Sequence, residues 1–134
     1  MARLILDTSI LVTQERRGHG VEQLIDDEDD VAVAAITVAE LLVGVELATG
    51  RNRRQRRERP EGLLALISVE PYDIEVARSH ASLLAWVRRQ GRARSAHNLI
   101  IAATAAARSR QVVTTDAQGF ADLPGVSVED PWQP

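Results

Sequence analysis

The stretch Val31–Gly50, VAVAAITVAELLVGVELATG, joins two hydrophobic patterns that together indicate the fold class. Residues Val31–Ile36 are nearly all apolar, as expected for a strand that is buried on both faces of a sheet. The remainder predicts a helix, with Thr37 as the N-cap, Glu40 three residues on as the second half of a capping box, and Gly50 as the stop. A doubly buried strand followed by a helix indicates a parallel α/β sheet.

The same alternation continues on both sides of this stretch. Further strands are predicted at Arg3–Leu6, Leu66–Pro71, Gln111–Asp116 and Gly125–Glu129. Further helices are predicted at Thr8–Arg16, Val21–Ile25, about 52–66 with interruptions at Pro60 and Gly62, Asp73–Gly91, and from Ser95 or His97 to about Ser109. The tail after Glu129 is expected to be irregular. We predict one domain over residues 1–134, with helices on both faces of a central parallel sheet.

Composition excludes several kinds of chemistry. The 134 residues include no cysteine, which excludes disulfides and cysteine-ligated zinc. All 16 basic residues are arginine, so mechanisms that need a lysine, such as P-loop nucleotide binding and pyridoxal-phosphate chemistry, are excluded. The missing lysine also argues against haloacid-dehalogenase-type and receiver-type phosphoryl transfer. The apolar run at the N-terminus is too short to span a membrane, and we expect a soluble cytoplasmic protein.

Four polar residues are predicted to meet at one edge of the sheet. Asp7 and Asp116 each end a predicted strand, and Glu40 and Asn98 lie in the first turns of predicted helices. Ligands of open α/β sheets collect at the carboxyl ends of the strands. Converging carboxylates without basic partners repel one another unless a cation neutralises them, and Mg²⁺ or Mn²⁺ prefers oxygen ligands. Such an ion suits phosphodiester hydrolysis.

Each of these residues also has a structural interpretation when taken alone. Asp7 suits the cap of the following helix, and Glu40 completes the formal capping box. Asp116 suits a turn, and Asn98 suits an ordinary polar residue in a first helical turn. Their joint occurrence at one predicted edge is what favours a functional site.

The motifs resemble a known family in their order and spacing. RLILDTSILV, ITVAELLVGVELA, SAHNLIIAATAAA, VVTTD and FADLPGVSV resemble the sequence blocks of PIN-domain proteins, and in particular of VapC toxins from bacterial toxin–antitoxin systems. The resemblance covers nearly the whole chain and is weakest at about 51–65. It implies a PIN-like three-layer α/β/α sandwich and a metal-dependent endoribonuclease. It also implies a bacterial cytoplasmic homodimer that is inhibited by a cognate VapB-type antitoxin, and that can enter a larger toxin–antitoxin assembly.

The resemblance also implies roles for individual residues. Asp7 resembles the first metal ligand, Glu40 the helix glutamate, and Asp116 the fourth polar position of a site that holds Mg²⁺ or Mn²⁺. Ser9 and Thr114 resemble hydroxyl residues that line such a site. The family sometimes has a further acid three residues after Asp116, where this chain has Gly119, so no fifth acid is predicted.

Position 98 departs from the family pattern. The family block has an aspartate that binds metal, whereas this chain has Asn98. An amide brings no charge, and its NH₂ group is a donor that faces a cation badly. We therefore expect Asn98 to bind metal weakly and to impair catalysis. The alternative is a catalytically silent PIN domain that acts by binding an antitoxin or RNA.

Basic and aromatic residues near the predicted site complete the expectations. Arg92 and Arg94 precede Asn98 closely and are predicted to bind RNA phosphates. The run Arg51–Arg59 suits either a solvated helix face or a phosphate-binding rim. Trp86 is expected in the core or in a dimer contact. The three histidines are dispersed, and His97 is expected only to begin a helix.

Overall fold

The computed structural model describes residues 1–24 and 26–132. The strands are β1 to β5 in chain order, at Arg3–Leu6, Asp30–Ala34, Ser68–Glu70, Gln111–Val113 and Val128–Glu129. The helices are α1 to α6, at Thr8–Arg16, Ala35–Leu47, Gly50–Leu66, Ile74–Gln90, Ala96–Arg108 and Ala117–Phe120. In this described part, no helix combines the length and the apolar content that crossing a bilayer requires.

The five strands form one parallel sheet in the order β3-β2-β1-β4-β5. The strand order reverses between β1 and β4, which are neighbours paired from Leu4 with Gln111 to Leu6 with Val113. In open α/β sheets such a switch point opens a crevice at the carboxyl ends of the two strands. Asp7 follows β1 directly, and Thr114 follows β4.

Side chains alternate between the two faces of β1 and divide the core in two. Ile5 points into a cluster built largely from α4 and α5, whereas Leu4 and Leu6 point into a second cluster that includes α1. Both clusters are almost wholly aliphatic, as the low aromatic content predicts. The predicted α/β/α sandwich with a central parallel sheet is confirmed.

The predicted capping box is wrong. β2 ends at Ala34 and α2 begins at Ala35 without a loop, so Thr37 lies inside the first turn of the helix. Thr37 is fully buried, and its hydroxyl has no hydrogen-bond partner among the described residues. The direct passage from strand to helix decides the start of α2, and no side chain caps it.

Two predicted helix stops are also wrong. α2 ends at Leu47, and Gly50, whose φ is +57°, begins α3 instead of closing α2. α3 then continues through Pro60 and Gly62 to Leu66. Pro60 cannot donate a backbone hydrogen bond, but its ring is buried, and that burial offsets part of the cost.

Most remaining elements match their predictions with narrower bounds. Asp73 caps α4 by accepting from the Val76 N–H, and Gly91 closes that helix in the left-handed conformation at φ +73°. Ser95, rather than His97, is the N-cap of α5. The strand predicted at Gln111–Asp116 stops at Val113. The short helix predicted near Val21 is a 3-10 turn at Val21–Gln23. Ile25 and the tail residues Gln133 and Pro134 lie outside the described residues.

A cluster of charged residues, here called the arginine cluster, joins several elements. Arg110 is buried just before β4, and its Nη1 donates to the Leu4 carbonyl oxygen at 3.2 Å and to Asp30 Oδ1 at 3.0 Å. Arg108 ends α5 and contacts carboxylates at or near the start of α4. The members of the cluster are Arg3, Asp30, Glu70, Asp73, Glu75, Arg108 and Arg110.

Candidate active site

Asp7 lies in the crevice at the switch point with its carboxylate held by two hydroxyl groups. The residue is 5% exposed, and its Oδ2 accepts hydrogen bonds from Ser9 Oγ and Thr114 Oγ1, both at 2.8 Å. Its side chain does not cap α1, although Asp7 occupies the N-cap position of that helix. The structural interpretation of Asp7 as a helix cap is therefore wrong.

Thr114 connects Asp7 with Asp116 across the end of β4. Its hydroxyl donates to Asp7 Oδ2 and accepts from the Asp116 N–H at 2.9 Å. Ser9 Oγ lies 3.2 Å from the Thr114 hydroxyl and accepts from the Thr115 N–H at 3.1 Å. Ser9 and Thr114 thus both contact the Asp7 carboxylate and fix its orientation.

Asp116 is exposed and contacts Asn98 directly. Its Oδ1 accepts from the Gly119 N–H at 3.2 Å, so Asp116 also caps the short helix α6. Its Oδ2 accepts from Asn98 Nδ2 at 3.3 Å. Asn98 is the third residue of α5, and that helix therefore brings the amide to the end of β4. A donor group of Asn98 faces the carboxylate, in the orientation that is least suited to a shared cation.

Gly119 makes this close approach possible. A Cβ atom at residue 119 would collide with the carboxylate of Asp116 and with the amide nitrogen of Asn98. The side chains of Asp116 and Asn98 thus occupy the space that a further acid at position 119 would need. No larger residue fits at 119 unless the Asn98–Asp116 pair moves.

Both carboxylate oxygens of Glu40 have partners that are chain neighbours of Asp7 and Asn98. Its Oε1 accepts from Thr8 Oγ1 at 2.9 Å, and its Oε2 lies 3.0 Å from Nδ1 of His97. Thr8 is the chain neighbour of Asp7, and His97 is the chain neighbour of Asn98. The four predicted residues, Asp7, Glu40, Asn98 and Asp116, therefore belong to one ring of contacts, here called the acidic ring. Sequence reasoning missed Thr8 and His97 because neither pairing with Glu40 leaves a local signal.

The ring is more open than a cluster of three acidic ligands. Within residues 1–24 and 26–132, no group of three His, Cys, Asp or Glu side chains is arranged to hold a metal ion. The groups at the switch point that can bind a metal ion are the carboxylates of Asp7 and Asp116 and the amide oxygen of Asn98. These are hard oxygen ligands, and one or two carboxylates with waters are a common Mg²⁺ environment. These oxygen ligands are of the type that Mg²⁺ or Mn²⁺ prefers. Because Asn98 is neutral, the site carries less negative charge than it would with an aspartate at that position.

The two arginines before Asn98 have different environments. Arg94 donates from Nη1 to the Gly119 carbonyl at 3.2 Å and from Nη2 to the Ala121 carbonyl at 2.8 Å. It therefore ties the segment before α5 to the segment that contains α6. Arg92 is exposed and makes no hydrogen bond in the described part of the chain, so its guanidinium is available to a phosphate.

The run Arg51–Arg59 lies on α3 and makes no hydrogen bond or ion pair with this ring among the described residues. Arg53 pairs with Glu46 at 3.1 Å, and Arg59 lies 3.8 Å from Glu15. Arg56 and Arg59 line a groove of about 620 Å³ between α1, α2 and α3, with apolar residues such as Leu41 and Leu63 in its walls. No sequence pattern indicated this groove.

Comparison with known proteins agrees with the fold. Residues 4–126 match the PIN domain family. The chain belongs to the PIN-domain family. It is similar to Ribonuclease VapC5 of Mycobacterium tuberculosis, at 36% identity over 92% of this chain and 89% of that protein. It is also similar to VapC ribonuclease Y4jK of Sinorhizobium fredii, at 32% identity over 98% of this chain and 99% of the relative.

A solved structure supports the same family assignment. The crystal structure of VapBC-5 from Mycobacterium tuberculosis, a member of the VapBC family of toxin–antitoxin systems, matches with a TM-score of 0.76 and 33% identity. The match covers 96% of this chain and 98% of the other. The resemblance to VapC proteins that the motifs indicated is confirmed, and this PIN domain carries Asn98 in the ring described above.

Proposed function

We propose that this PIN-domain protein is a ribonuclease toxin of the VapC type, whose partner is a VapB-type antitoxin. The observation that carries the proposal is the environment of Asp7 and Asp116. Both carboxylates lie at the carboxyl ends of adjacent strands, and among the described residues neither forms a salt bridge. Relatives that cover most of the chain are named ribonucleases, and the similar solved structure is that of a toxin–antitoxin family member.

Asp7, Asp116 and the amide oxygen of Asn98 are the residues that would hold Mg²⁺ or Mn²⁺. A bound divalent ion of this kind lowers the pKa of a coordinated water and neutralises charge that develops on a phosphoryl oxygen. Ser9 and Thr114 occupy Oδ2 of Asp7 and thereby leave Oδ1 without a protein hydrogen bond in the described residues. Thr8 and His97 orient Glu40 beside the same crevice. The exposed guanidinium of Arg92 would attract the phosphates of an RNA chain.

Asn98 is expected to impair this activity. Its NH₂ group donates a hydrogen bond to Asp116 Oδ2 and takes the place that a cation would occupy beside that oxygen. Restoring an aspartate at 98 would place two carboxylates in contact, which favours a bound cation and disfavours the metal-free state. The same hydrogen bond favours the second candidate function, a catalytically silent PIN domain that acts by binding an antitoxin or RNA.

The test compares the natural chain with Asn98→Asp, Asn98→Ala and the double variant Asp7→Asn/Asn98→Asp. We expect Asn98→Asp to cleave RNA in Mn²⁺ or Mg²⁺ at least about tenfold faster than the natural chain, a difference of about 1.4 kcal/mol in the barrier. The double variant should lose the gain. With EDTA, Asn98→Asp should also be less stable than the natural chain, and Mn²⁺ should restore its melting temperature.

The controls separate the two candidate functions. Asn98→Ala removes the hydrogen bond without adding a charge, so Mn²⁺ should raise its melting temperature less than it raises that of Asn98→Asp. If neither the natural chain nor Asn98→Asp cleaves RNA, and calorimetry detects no Mn²⁺ binding to either, the silent binding module is the correct function. Equal cleavage by both chains would show that Asn98 does not impair the site.

A further inference from the structure

We propose that a small cavity beside the acidic ring is a binding subsite for one unpaired base of the RNA. This inference rests on the proposed function, because it assumes an RNA substrate. The cavity has a volume of about 160 Å³ and is lined by Trp86, Gln90, Arg92, Arg94 and Asp122. Its lining thus combines a tryptophan, a glutamine and an aspartate with two arginines.

The cavity is connected to the ring through the backbone on two sides. Arg94 lies four residues before Asn98, and Asp122 lies six residues after Asp116. Arg94 joins the two segments by donating to the carbonyls of Gly119 and Ala121. A nucleotide whose phosphate lies at Asp116 would therefore have this cavity within reach of its own base or of the neighbouring base.

The size of the cavity suits a single flat ring system. Its 160 Å³ corresponds to about five water molecules at about 30 Å³ each. That volume is well below the roughly 300–1,000 Å³ of pockets that enclose drug-sized ligands. A space of this volume accommodates one base.

The chemistry of the lining favours a base over a phosphate. Proteins recognise unpaired RNA bases by stacking them on aromatic rings and by hydrogen bonds to their edges. Trp86 is half-buried, packs against the core cluster that contains α4 and α5, and lines the cavity, so its ring would provide the stacking surface. Asp122 would repel a phosphate, whereas its carboxylate accepts a hydrogen bond from an exocyclic amino group.

The lining also predicts which base is preferred. Cytosine and uracil have the same size, but cytosine carries an amino donor at position 4 where uracil carries a carbonyl acceptor. Asp122 accepts from the former and repels the latter. The subsite should therefore prefer cytosine to uracil. Arg92 is an exposed residue of the lining and would contact the phosphate that follows the base.

The test uses the fluorescence of Trp86 in the full-length chain. Trp132 is the other tryptophan; it packs in the opposite core cluster beneath Arg17, whose Cζ lies 4.5 Å from its ring centroid. A Trp132→Phe background therefore leaves Trp86 as the reporter. The probes are RNA tetramers of cytidine, of uridine, and of abasic ribose phosphate, titrated at one fixed salt concentration.

We expect the cytidine tetramer to quench Trp86 and to bind about 5-fold or more tightly than the uridine tetramer, since an amino–carboxylate contact discriminates by about that factor or more. The abasic tetramer should bind weakly through its phosphates and leave the fluorescence unchanged. Asp122→Asn should abolish the preference for cytidine. Asp122 has φ +64°, a conformation that asparagine tolerates, so this variant should fold normally. Trp86→Phe with Trp132 retained should show no quenching.

Several outcomes would overturn the subsite. Equal quenching by the cytidine and abasic tetramers would mark a site for phosphate only. A lack of preference between cytidine and uridine would also overturn it, and so would a preference that Asp122→Asn leaves intact. RNA cleavage by Asn98→Asp is scored separately. Cleavage without quenching of Trp86 would overturn the subsite alone, and quenching without cleavage would overturn the nuclease and retain the subsite.

Discussion

The acidic ring and the arginine cluster both gather carboxylates, yet they satisfy them with different partners. In the arginine cluster, four carboxylates contact three guanidinium groups. In the ring, hydroxyl, amide and backbone N–H groups hold Asp7 and Asp116, and His97 contacts Glu40. Full pairing with arginine neutralises an acid and makes it part of the framework. Neutral donors fix the position of an acid and leave its charge available to a cation or a substrate.

The first prediction removes the most buried cation of the arginine cluster. Arg110 is 4% exposed at its side chain and contacts both Asp30 and Glu70. Replacing one partner of a buried ion pair leaves the other charges uncompensated, at a cost of about 3–5 kcal/mol. We expect Arg110→Met to lower the free energy of unfolding in urea by about 3 kcal/mol.

The matched control for this prediction is Arg57→Met on the exposed face of α3. Arg57 has no ion pair in the described part of the chain, so its loss should change stability by less than about 0.5 kcal/mol. If Arg110→Met and Arg57→Met have similar effects, the arginine cluster does not form part of the framework, and its contrast with the acidic ring fails.

The second prediction compares two fully buried threonines with opposite hydrogen bonding. Thr114 donates to Asp7 and accepts from the Asp116 N–H, whereas the Thr37 hydroxyl has no partner among the described residues. We expect Thr114→Val to destabilise the protein by about 2 kcal/mol, because the Asp116 N–H loses its acceptor and Asp7 Oδ2 keeps only the hydrogen bond from Ser9. Thr37→Val removes an unsatisfied hydroxyl and should stabilise by up to about 1 kcal/mol.

Chemical denaturation of the two variants measures both effects. RNA binding and cleavage of the Asn98→Asp protein provide a second readout, since Thr114→Val should also reduce its activity while Thr37→Val should not. Equal stability changes for the two variants would mean that the hydroxyl groups at the switch point do not hold Asp7.

Sequence patterns located the strands and the end of β1 because those features are local, although β4 stops at Val113 and not at the predicted Asp116. The position of Asp7 and Asp116 follows from the strand ends and from the parallel topology. The capping box could not be judged locally, since Thr37 and Glu40 have the same spacing inside a helix as at its start. The direct junction of β2 with α2 decides between them, and it is a property of the packed sheet.

The contacts that complete the ring were beyond sequence reasoning for a related reason. His97 and Glu40 are 57 residues apart in the chain, and Arg94 reaches carbonyl oxygens 25 and 27 residues away. Residue type does not distinguish an arginine that binds a backbone carbonyl from one that binds a phosphate. Arg92 and Arg94 have the same sequence context, and only the structure shows that Arg94 already has partners.

The last prediction has the smallest expected effect and concerns Asp73, the exposed end of the arginine cluster. The Val76 N–H holds the pKa of Asp73 below its usual value, and the neighbouring Arg108 guanidinium also lowers it. Because the folded-state pKa is lowered, the stabilisation is present above the ordinary pKa of about 4. It is lost as the pH falls through the lowered value. Asp73→Asn keeps a capping oxygen but removes this titration.

The measurement is the melting temperature of the natural chain and of Asp73→Asn between pH 2 and pH 7. The natural chain should be slightly more stable above about pH 4, and the two curves should converge as the pH falls below that range. Asp27→Asn is the control, since Asp27 is exposed and has no hydrogen bond in the described part of the chain. A constant offset between the natural chain and Asp73→Asn would show that the cap alone matters. In that case the charge of Asp73 would not contribute to stability, and Asp73 would differ from Asp7 and Asp116 only in its hydrogen-bond and ion-pair partners.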